Sequence, residues 1–312
     1  MNIDDAVNLY GSRDLYLRGL TDNALSERLV QCLNNCVQLS RAGQIDLCAT
    51  EFPDYFQRLM DVLAETSMRH GDIASAQPLE IWDKSKNVMI GAGQSVSASI
   101  SKINNLLDKK HDNILLRFGE KKYMRELYED GGLLFQEASS FAKSDNLSVR
   151  DDELNLLMKY YVPRDQLRLI PGAPDPDAIT ERGVALNMQI SCPDFLVLCL
   201  TNAINRRLVS DWNAEAVVVI HNPTEFRRRL ARASQELAKK AGAKELEAGK
   251  VQYLDPYFPL GQPDVPFCKP YKFAYQREFR FVIRGDNNLP LEDRKLMIGS
   301  IKDIADLVEF DT

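Results

Sequence analysis

Two short runs of apolar residues place the strongest constraint on what this chain can fold into. Residues 195–200 and 216–220 contain no charged side chain and consist almost entirely of leucine, valine and other apolar residues. A strand of this composition buries both of its faces, so it belongs in the interior of a sheet that is covered on both sides. The two runs therefore predict a core built around a β-sheet.

Shorter patterns predict the remaining strands and helices. An apolar run that ends in glycine predicts a strand at 114–119, and a second strand at 133–138 follows a turn at Asp130-Gly131-Gly132. The strongest strand signal of the chain covers 273–283. Further strands are predicted at 251–254 and 296–304, and helices at 120–129 and after Thr224, the expected helix cap.

The first part of the chain has the spacing of helices. Apolar residues recur at helical intervals after Thr21, a candidate cap, and again after Pro53. A further helix is predicted at 97–107. We expect a helical N-terminal region over 1–110 and a second domain over 111–312. The N-terminal region could bind a partner protein, or it could pack on the second domain and complete its core.

Composition limits the classes of protein to consider. Hydrophobic residues make up 45% of the chain and charged residues 27%, values typical of globular proteins. The formal net charge of −6 argues against nonspecific binding to nucleic acid, so any contact with phosphates must use a local patch. The arginines at 227–232 form one candidate patch. A solvated helix face, balanced by Glu225 and Glu236, is the favoured interpretation of these arginines.

Several features predict a cytoplasmic protein without a metal. No apolar core of a signal peptide follows the acidic N-terminus, and no run reaches the ~20 apolar residues of a membrane helix. The six cysteines are scattered, which favours reduced thiols. The three histidines are far apart, so a histidine-based metal site is not expected. The glycines within 90–95 lack the third glycine of a dinucleotide-binding turn and are predicted to form a loop.

The strand predicted at 273–283 carries polar groups in an alternating pattern. Because alternate side chains of a strand share a face, Gln276, Glu278 and Arg280 are expected on one face. Phe273, Tyr275, Arg277, Phe279 and Phe281 are expected on the other. Buried polar groups without partners are costly, so the Glu278 face predicts either the wall of a cleft or a network of ion pairs. Taken alone, a Glu-x-Arg pattern on a strand favours the ion pairs.

The order of three polar features resembles a known superfamily. A strand arginine, a strand-end serine and a strand Gln-x-Glu follow one another as Arg117, Ser139 or Ser140, and Gln276 with Glu278. This order resembles the Arg-Ser-Glu class of ADP-ribosyltransferases. The chain is also similar to a large bacterial family of domains of unknown function with a late aromatic-x-x-Glu-aromatic-Arg strand. The resemblance covers roughly 112–312 and implies an α+β fold, a mixed β-sheet ADP-ribosyltransferase-like domain preceded by the helical N-terminal region.

The resemblance implies a site for NAD. Arg117 would hold a phosphate or a ribose of NAD, because a planar guanidinium suits anionic oxygens. Backbone groups near Phe118 and Gly119 would hold the nicotinamide amide, where glycine permits close approach. An aromatic side chain would stack on the nicotinamide ring, and the candidates are Tyr123, Phe141 and Tyr275.

The same resemblance implies roles in the reaction. Glu278 would accept a hydrogen bond from a ribose hydroxyl and stabilise the positive charge that develops as nicotinamide leaves. Gln276, two positions earlier, would position the acceptor through hydrogen bonds. Ser139 would orient Glu278 or contact the nicotinamide ribose, with Ser140 as the second candidate.

The function that the resemblance implies is NAD-dependent ADP-ribosyl transfer to protein, RNA or DNA. A bacterial toxin or phage-defence role is expected, with an antitoxin or regulatory protein as a possible partner of the N-terminal region. NAD hydrolysis, with water as the acceptor, is an alternative. A second alternative is a binding module without catalysis, in which Glu278 pairs with Arg280 or Arg117 as part of a buried structural network.

Overall fold

The computed structural model describes most of the chain, and the observations below concern those residues alone. They are 3–12, 16–40, 45–47, 53–71, 104–105, 113–146, 150–169, 172, 175, 177, 183–202, 205, 207–243, 245–255, 257, 263–285 and 291–310. The predicted loop at 90–95 lies outside the described residues, and so does the predicted helix at 97–107 apart from 104–105.

The described residues form seven α-helices and fifteen strands. The helices are α1 (Ile3–Gly11), α2 (Asp22–Cys36), α3 (Pro53–His70), α4 (Lys121–Asp130), α5 (Arg207–Asp211), α6 (Pro223–Ala233) and α7 (Gln235–Lys240). The first eight strands are β1 (Val37–Leu39), β2 (Ile45–Leu47), β3 (Leu115–Gly119), β4 (Gly132–Leu134), β5 (Gln136–Glu137), β6 (Asn155–Pro163), β7 (Gly183–Ser191) and β8 (Leu196–Thr201). The others are β9 (Ala216–Ile220), β10 (Glu247–Lys250), β11 (Gln252–Leu254), β12 (Cys268–Pro270), β13 (Glu278–Ile283), β14 (Lys295–Met297) and β15 (Ala305–Glu309). None of the helices in the described ranges has the length and apolar character needed to cross a membrane.

The central sheet has seven strands. Six follow the order β10-β13-β8-β3-β9-β15, and β5 pairs with β8. Every pairing within this sheet is antiparallel. The fold is therefore a mixture of helices with an antiparallel sheet, and the expected mixture of strand directions is wrong for this sheet. The parallel pair, β11 with β12, is separate from it.

The two apolar runs form β8 and β9, and both strands are buried on both faces as predicted. Along β8, Leu196, Leu198 and Leu200 join a core cluster that also contains residues of α4, α6 and α7. Val197, which points the other way, packs against a smaller cluster that includes Phe195. Burial of each large aliphatic side chain contributes about 1.5–3 kcal/mol, so these strands anchor both sides of the sheet.

Helix α6 covers one face of the sheet and carries the arginine cluster. Its N-cap is Asn222, whose side chain accepts a hydrogen bond from the backbone of Glu225, so the prediction of Thr224 as the cap is wrong. Arg228 and Arg229 each pair with Glu225 at 2.7 Å. For these two arginines the expected balanced helix face is confirmed. The other predicted cap, Thr21, does cap α2.

The strand predicted at 273–283 is shorter in the structure. Tyr271–Gln276 forms a 3-10 turn, and Arg277 then adopts a left-handed backbone conformation with φ of 48°. The strand begins only at Glu278, so the strand face predicted for Phe273 and Tyr275 is wrong. From Glu278 onward the predicted alternation holds, because Phe279 and Phe281 join the core cluster opposite Glu278.

Helices α1, α2 and α3 pack on the rest of the chain at this 3-10 turn. Their apolar core includes Tyr271 and Ala274 from the turn. Asn35 of α2 donates from Nδ2 to the carbonyl oxygen of Tyr271 at 2.8 Å and accepts at Oδ1 from the backbone N–H of Tyr275 at 3.0 Å. The helices therefore complete a core around the turn, whereas binding of a partner by this region stays a prediction.

The importance of Gly131 in the turn between α4 and β4 can be tested by substitution. Its φ is 75°, and a Cβ built on it would lie 2.1 Å from the carbonyl oxygen of Gly299. We expect Gly131→Ala to lower the free energy of unfolding by about 2–5 kcal/mol, the sum of left-handed strain and a backbone clash. Gly242 is the matched control, since its φ is 66° and nothing lies within 4 Å of its built Cβ. Gly242→Ala should cost only about 1–2 kcal/mol, and equal losses in urea denaturation would show that the contact with Gly299 is unimportant.

Candidate functional site

A cavity of about 450 Å³ lies where β3 and β8 separate. The two strands pair only at Leu116 and Thr201, whereas β3 is paired with β9 along its whole length. The separation leaves a gap in the sheet between β3 and the middle of β8. Six of the predicted site residues line the cavity, namely Arg117, Phe118, Ser140, Phe141, Gln276 and Glu278.

Arg117 reaches into the gap from β3. Its Nη1 donates a hydrogen bond to the carbonyl oxygen of Cys199 on β8. At this position β8 is not paired with β3. Burial lowers the pKa of Arg117, and Cys199 and Glu278 partly offset this effect. Arginine nevertheless stays charged at neutral pH. In the described part of the chain no carboxylate forms a direct ion pair with Arg117, although Glu278 lines the same cavity and acts on it at longer range.

Glu278 belongs to a buried network of four charges. Its Oε1 accepts a hydrogen bond from Nζ of Lys269 at 2.7 Å, and its Oε2 accepts one from Nε of Arg280 at 2.9 Å. Glu153 closes the network, since it lies 2.8 Å from Arg280 and 3.3 Å from Lys269. Every one of these residues is at most 5% exposed. The ion pairs that a Glu-x-Arg strand predicts are therefore present, and they form part of the cavity wall.

The network keeps Glu278 ionised. Burial raises the pKa of Glu278, but the cations of Lys269 and Arg280 outweigh this and hold it below the ordinary value of 4.5. Burial lowers the pKa of Lys269, and Glu278 and Glu153 together raise it above its ordinary value. Two carboxylates and two cations balance in this network. Asp151 interacts electrostatically with Lys269 and Arg280 and adds a third carboxylate nearby.

Gln276 joins the cavity from the 3-10 turn rather than from a strand. Its Oε1 lies 3.4 Å from Nζ of Lys269, and its Nε2 lies 3.4 Å from the hydroxyl oxygen of Tyr275. The backbone carbonyl of Gln276 accepts a hydrogen bond from Oγ1 of Thr201 at 2.7 Å, which ties the turn to the end of β8. The amide is thus held beside the carboxylate of Glu278, although the local backbone differs from the predicted one.

The structure distinguishes the two candidate serines. Ser140 lines the cavity, and its hydroxyl donates to the carbonyl oxygen of Glu137 at 2.6 Å. Ser139 does not line the cavity, and its backbone N–H donates to Oδ1 of Asp194 at 3.1 Å. Both serines lie in a 3-10 turn, Ala138–Lys143, that follows β5. Ser140 is therefore the serine placed to meet a ligand of the cavity.

Aromatic side chains form one side of the cavity. Phe118, Phe141 and Trp212 line it, and the rings of Phe118 and Trp212 meet edge to face with centroids 5.5 Å apart. Such a surface can hold a flat, polarisable group by stacking or edge contacts. Phe118 and Phe141 were both predicted as site residues, whereas Trp212 carries no sequence signal of its own.

Three predicted site residues lie elsewhere. Tyr123 is 51% exposed on α4 and lies beside the ammonium group of Lys122. Gly119 packs against the side chain of Met124, which lies 3.0 Å from the position of a built Cβ, and this contact explains the glycine. Tyr275 is buried under the guanidinium of Arg207 at 3.8 Å. None of the three lines the cavity.

Sequence reasoning missed two members of the charge network. Glu153 and Lys269 both line the cavity, but they are separated from Glu278 by 125 and 9 positions and fall in short segments without a periodic pattern. The need for charge balance could have indicated that such residues exist, because a buried Glu-x-Arg strand requires compensating groups.

The arrangement can bind a ligand that is anionic at one end. Arg117 supplies a positive charge, Ser140 and Gln276 supply hydrogen bonds, and the aromatic side supplies a stacking surface. Glu278 supplies an acceptor of fixed position. Among the described residues, no group of three or more His, Cys, Asp or Glu is placed to hold a metal ion.

The chain was compared with known proteins by three routes. No family model matches it, and neither the curated proteins nor the solved structures contain a match.

Proposed function

We propose that the cavity binds NAD and that the protein transfers ADP-ribose from NAD to a macromolecular acceptor, with release of nicotinamide. One observation carries this proposal. A guanidinium, a serine hydroxyl and an ionised carboxylate, from Arg117, Ser140 and Glu278, line the same cavity although 161 positions separate the first from the last. These are the three groups, in the same chain order, that the resemblance to ADP-ribosyltransferases singles out. The ADP-ribosyltransferase-like fold of 111–312 is part of the proposal.

Arg117 is suited to the anionic part of NAD. Its guanidinium has one protein acceptor, the carbonyl oxygen of Cys199, and no carboxylate partner in the described part of the chain. Guanidinium groups bind phosphate oxygens through paired, charge-assisted hydrogen bonds. A phosphate of NAD would therefore supply the ion-pair partner that Arg117 lacks among the described residues.

Glu278 is suited to accept hydrogen bonds rather than protons. Lys269 and Arg280 lower its pKa, which makes it a weak base. Each carboxylate oxygen keeps a second lone pair that can accept a hydrogen bond from a ribose hydroxyl. In the proposed reaction the bond between nicotinamide and the anomeric carbon breaks, and its electron pair leaves with nicotinamide. A lone pair of the acceptor forms the new bond, and the acceptor proton passes to solvent.

The remaining groups of the cavity fit the same ligand. Phe118, Phe141 and Trp212 would hold the nicotinamide ring, and Ser140 would contact the nicotinamide ribose. Gln276 would position the acceptor. The resemblance adds a biological role to the proposal, that of a bacterial toxin or phage-defence protein in the cytoplasm. Residues 1–110 would take part in its regulation.

A non-catalytic binding module is the second candidate, and the charge network favours it. Glu278 is paired with Arg280 and Lys269, as that alternative expects. Loss of stability on replacing Glu278 does not separate the two candidate functions, because the carboxylate is buried and paired in either case. Binding and turnover of NAD do separate them. NAD hydrolysis differs from transfer in leaving free ADP-ribose rather than label on protein or nucleic acid.

Binding of NAD can be tested through thermal stability. We expect NAD in large excess over its Kd to raise the Tm by several degrees, because a hundredfold excess stabilises the folded state by about 2.7 kcal/mol. Arg117→Gln should lose most of this shift. Arg228→Gln is the control, since Arg228 is exposed and pairs with Glu225 on α6. A wild-type Tm that does not respond to NAD would exclude the NAD site.

Ser139 and Ser140 provide a matched pair of variants for measuring the rate of NAD turnover. We expect Ser140→Ala to slow nicotinamide release by about tenfold, the effect of one lost hydrogen bond of about 1.4 kcal/mol to bound substrate. Ser139→Ala removes the same hydroxyl one position away and should retain wild-type rates. Nicotinamide release is measured by chromatography at saturating NAD. The reverse pattern would place the other serine at the ligand.

The proposed role of Glu278 in nicotinamide release can be tested with the variant Glu278→Gln. We expect nicotinamide release to fall by about 10²–10³-fold, the usual effect of removing one group that stabilises developing charge. The variant should also lose stability, so the rate is compared per folded molecule. Asp255→Asn is the control, because Asp255 is a buried carboxylate that pairs with Arg28 at 2.6 Å and Arg58 at 2.8 Å. The control should keep most of its activity, and normal turnover by Glu278→Gln would remove Glu278 from the mechanism.

A further inference from the structure

A second, smaller cavity is lined by other residues of β3 and β13. Its volume is about 150 Å³, a third of that of the main cavity. Leu115 and Phe279 line it, and they are the chain neighbours of Leu116 and Glu278, which line the main cavity. On β13, where successive side chains point to opposite faces, Glu278 lines the main cavity and Phe279 lines the small one.

The polar lining of the small cavity consists of cations and neutral groups. Arg227 of α6 and Lys250 of β10 contribute two positive charges, and Asn113, Asn202 and Thr224 contribute amide and hydroxyl groups. No aspartate or glutamate belongs to this lining. All five side chains can donate hydrogen bonds, so the surface offers donors and positive charge together.

The two cations also differ from their neighbour on α6 in having no carboxylate partner among the described residues. Arg228, the next residue on α6, pairs with Glu225 at 2.7 Å. In the described part of the chain, by contrast, no carboxylate forms an ion pair with Arg227 or Lys250. The guanidinium of Arg227 lies 5.6 Å from the ring centre of Phe279 at the floor of the cavity. Two uncompensated cations on one small cavity repel each other, and a bound anion relieves that repulsion.

We propose that this small cavity, the basic pocket formed by Arg227, Lys250, Asn113, Asn202 and Thr224, binds a phosphate group. A phosphate matches both the donors and the two charges of the lining, and the pocket is small enough to hold one such group rather than a whole dinucleotide. The phosphate comes either from a small phosphorylated molecule or from a nucleic-acid backbone, which present the same oxygens. The basic pocket shares no lining residue with the main cavity, so this proposal does not depend on NAD chemistry.

Phosphate binding to the full-length chain tests the proposal. Inorganic phosphate is titrated at low ionic strength and its binding followed by the ³¹P line width. We expect the double variant Arg227→Gln, Lys250→Gln to bind phosphate at least about tenfold more weakly, because two charged hydrogen-bond donors are lost. Arg228→Gln removes one charge from the same helix outside the pocket and should bind like the wild type. All the replaced side chains are exposed, so folding of the variants is not at risk.

A second titration with a short single-stranded RNA identifies the source of the phosphate. Tighter binding of the RNA than of phosphate, weakened by salt and by the double variant, assigns the pocket to a nucleic-acid backbone. Binding of phosphate alone assigns it to a small phosphorylated molecule. The proposal is overturned if the wild type shows no saturable phosphate binding, or if Arg228→Gln weakens binding as much as the double variant. NAD turnover is not measured here, so either proposal can fail without the other.

Discussion

Glu278 accepts hydrogen bonds from two buried cations, Lys269 and Arg280, and the arrangement of the main cavity depends on this interaction. The three residues and Glu153 come from β12, β13 and the segment before β6. Because a buried charge without a partner costs several kcal/mol, each segment must be placed so that the pairing is complete. The network therefore fixes one part of the cavity lining, and Arg117 joins the lining from β3 where that strand separates from β8.

The parts of the fold with uniform periodicity could be predicted from the sequence, and the parts shaped by long-range contacts could not. The strands β8 and β9 follow from their apolar runs, and Thr21 follows from capping chemistry. The strand at 273–283 looked continuous because its aromatic residues alternate. Its first half became a 3-10 turn since Asn35, from a distant helix, takes up the backbone groups of Tyr271 and Tyr275.

The same distinction holds for the site. Arg117 and Glu278 were selected through the order of motifs that resembles ADP-ribosyltransferases, and so were Phe118, Phe141 and Gln276. Ser139 was the first candidate for the serine, but Ser140 lines the cavity. Glu153, Lys269 and Trp212 have no local pattern and join the cavity only through the tertiary fold. Gly119 was predicted to let its backbone approach nicotinamide, and Tyr123 to stack on the ring. The glycine instead packs against Met124, and the tyrosine is exposed to solvent.

The N-terminal helices contribute to the site without lining it. Arg207 of α5 donates to the carbonyl oxygen of Asn34 at 2.6 Å and lies 3.8 Å from the ring centre of Tyr275. It thus joins the end of α2 to the turn that carries Gln276 and to the helix that precedes Trp212. A region that could be imagined as a separate binding module is therefore packed against elements that form two sides of the cavity.

The structural and the catalytic explanations of the charge network are compatible. Replacing buried ion pairs by apolar groups is often neutral or stabilising, so stability alone does not explain why a cavity should contain four buried charges. Their effect on geometry does explain it, because Lys269 and Arg280 hold both oxygens of Glu278 in place. A carboxylate that is held in this way needs no reorganisation when positive charge develops near it. The pairing weakens its net field and its basicity, which is why positioning and hydrogen bonding, rather than proton transfer, are the functions this glutamate can perform.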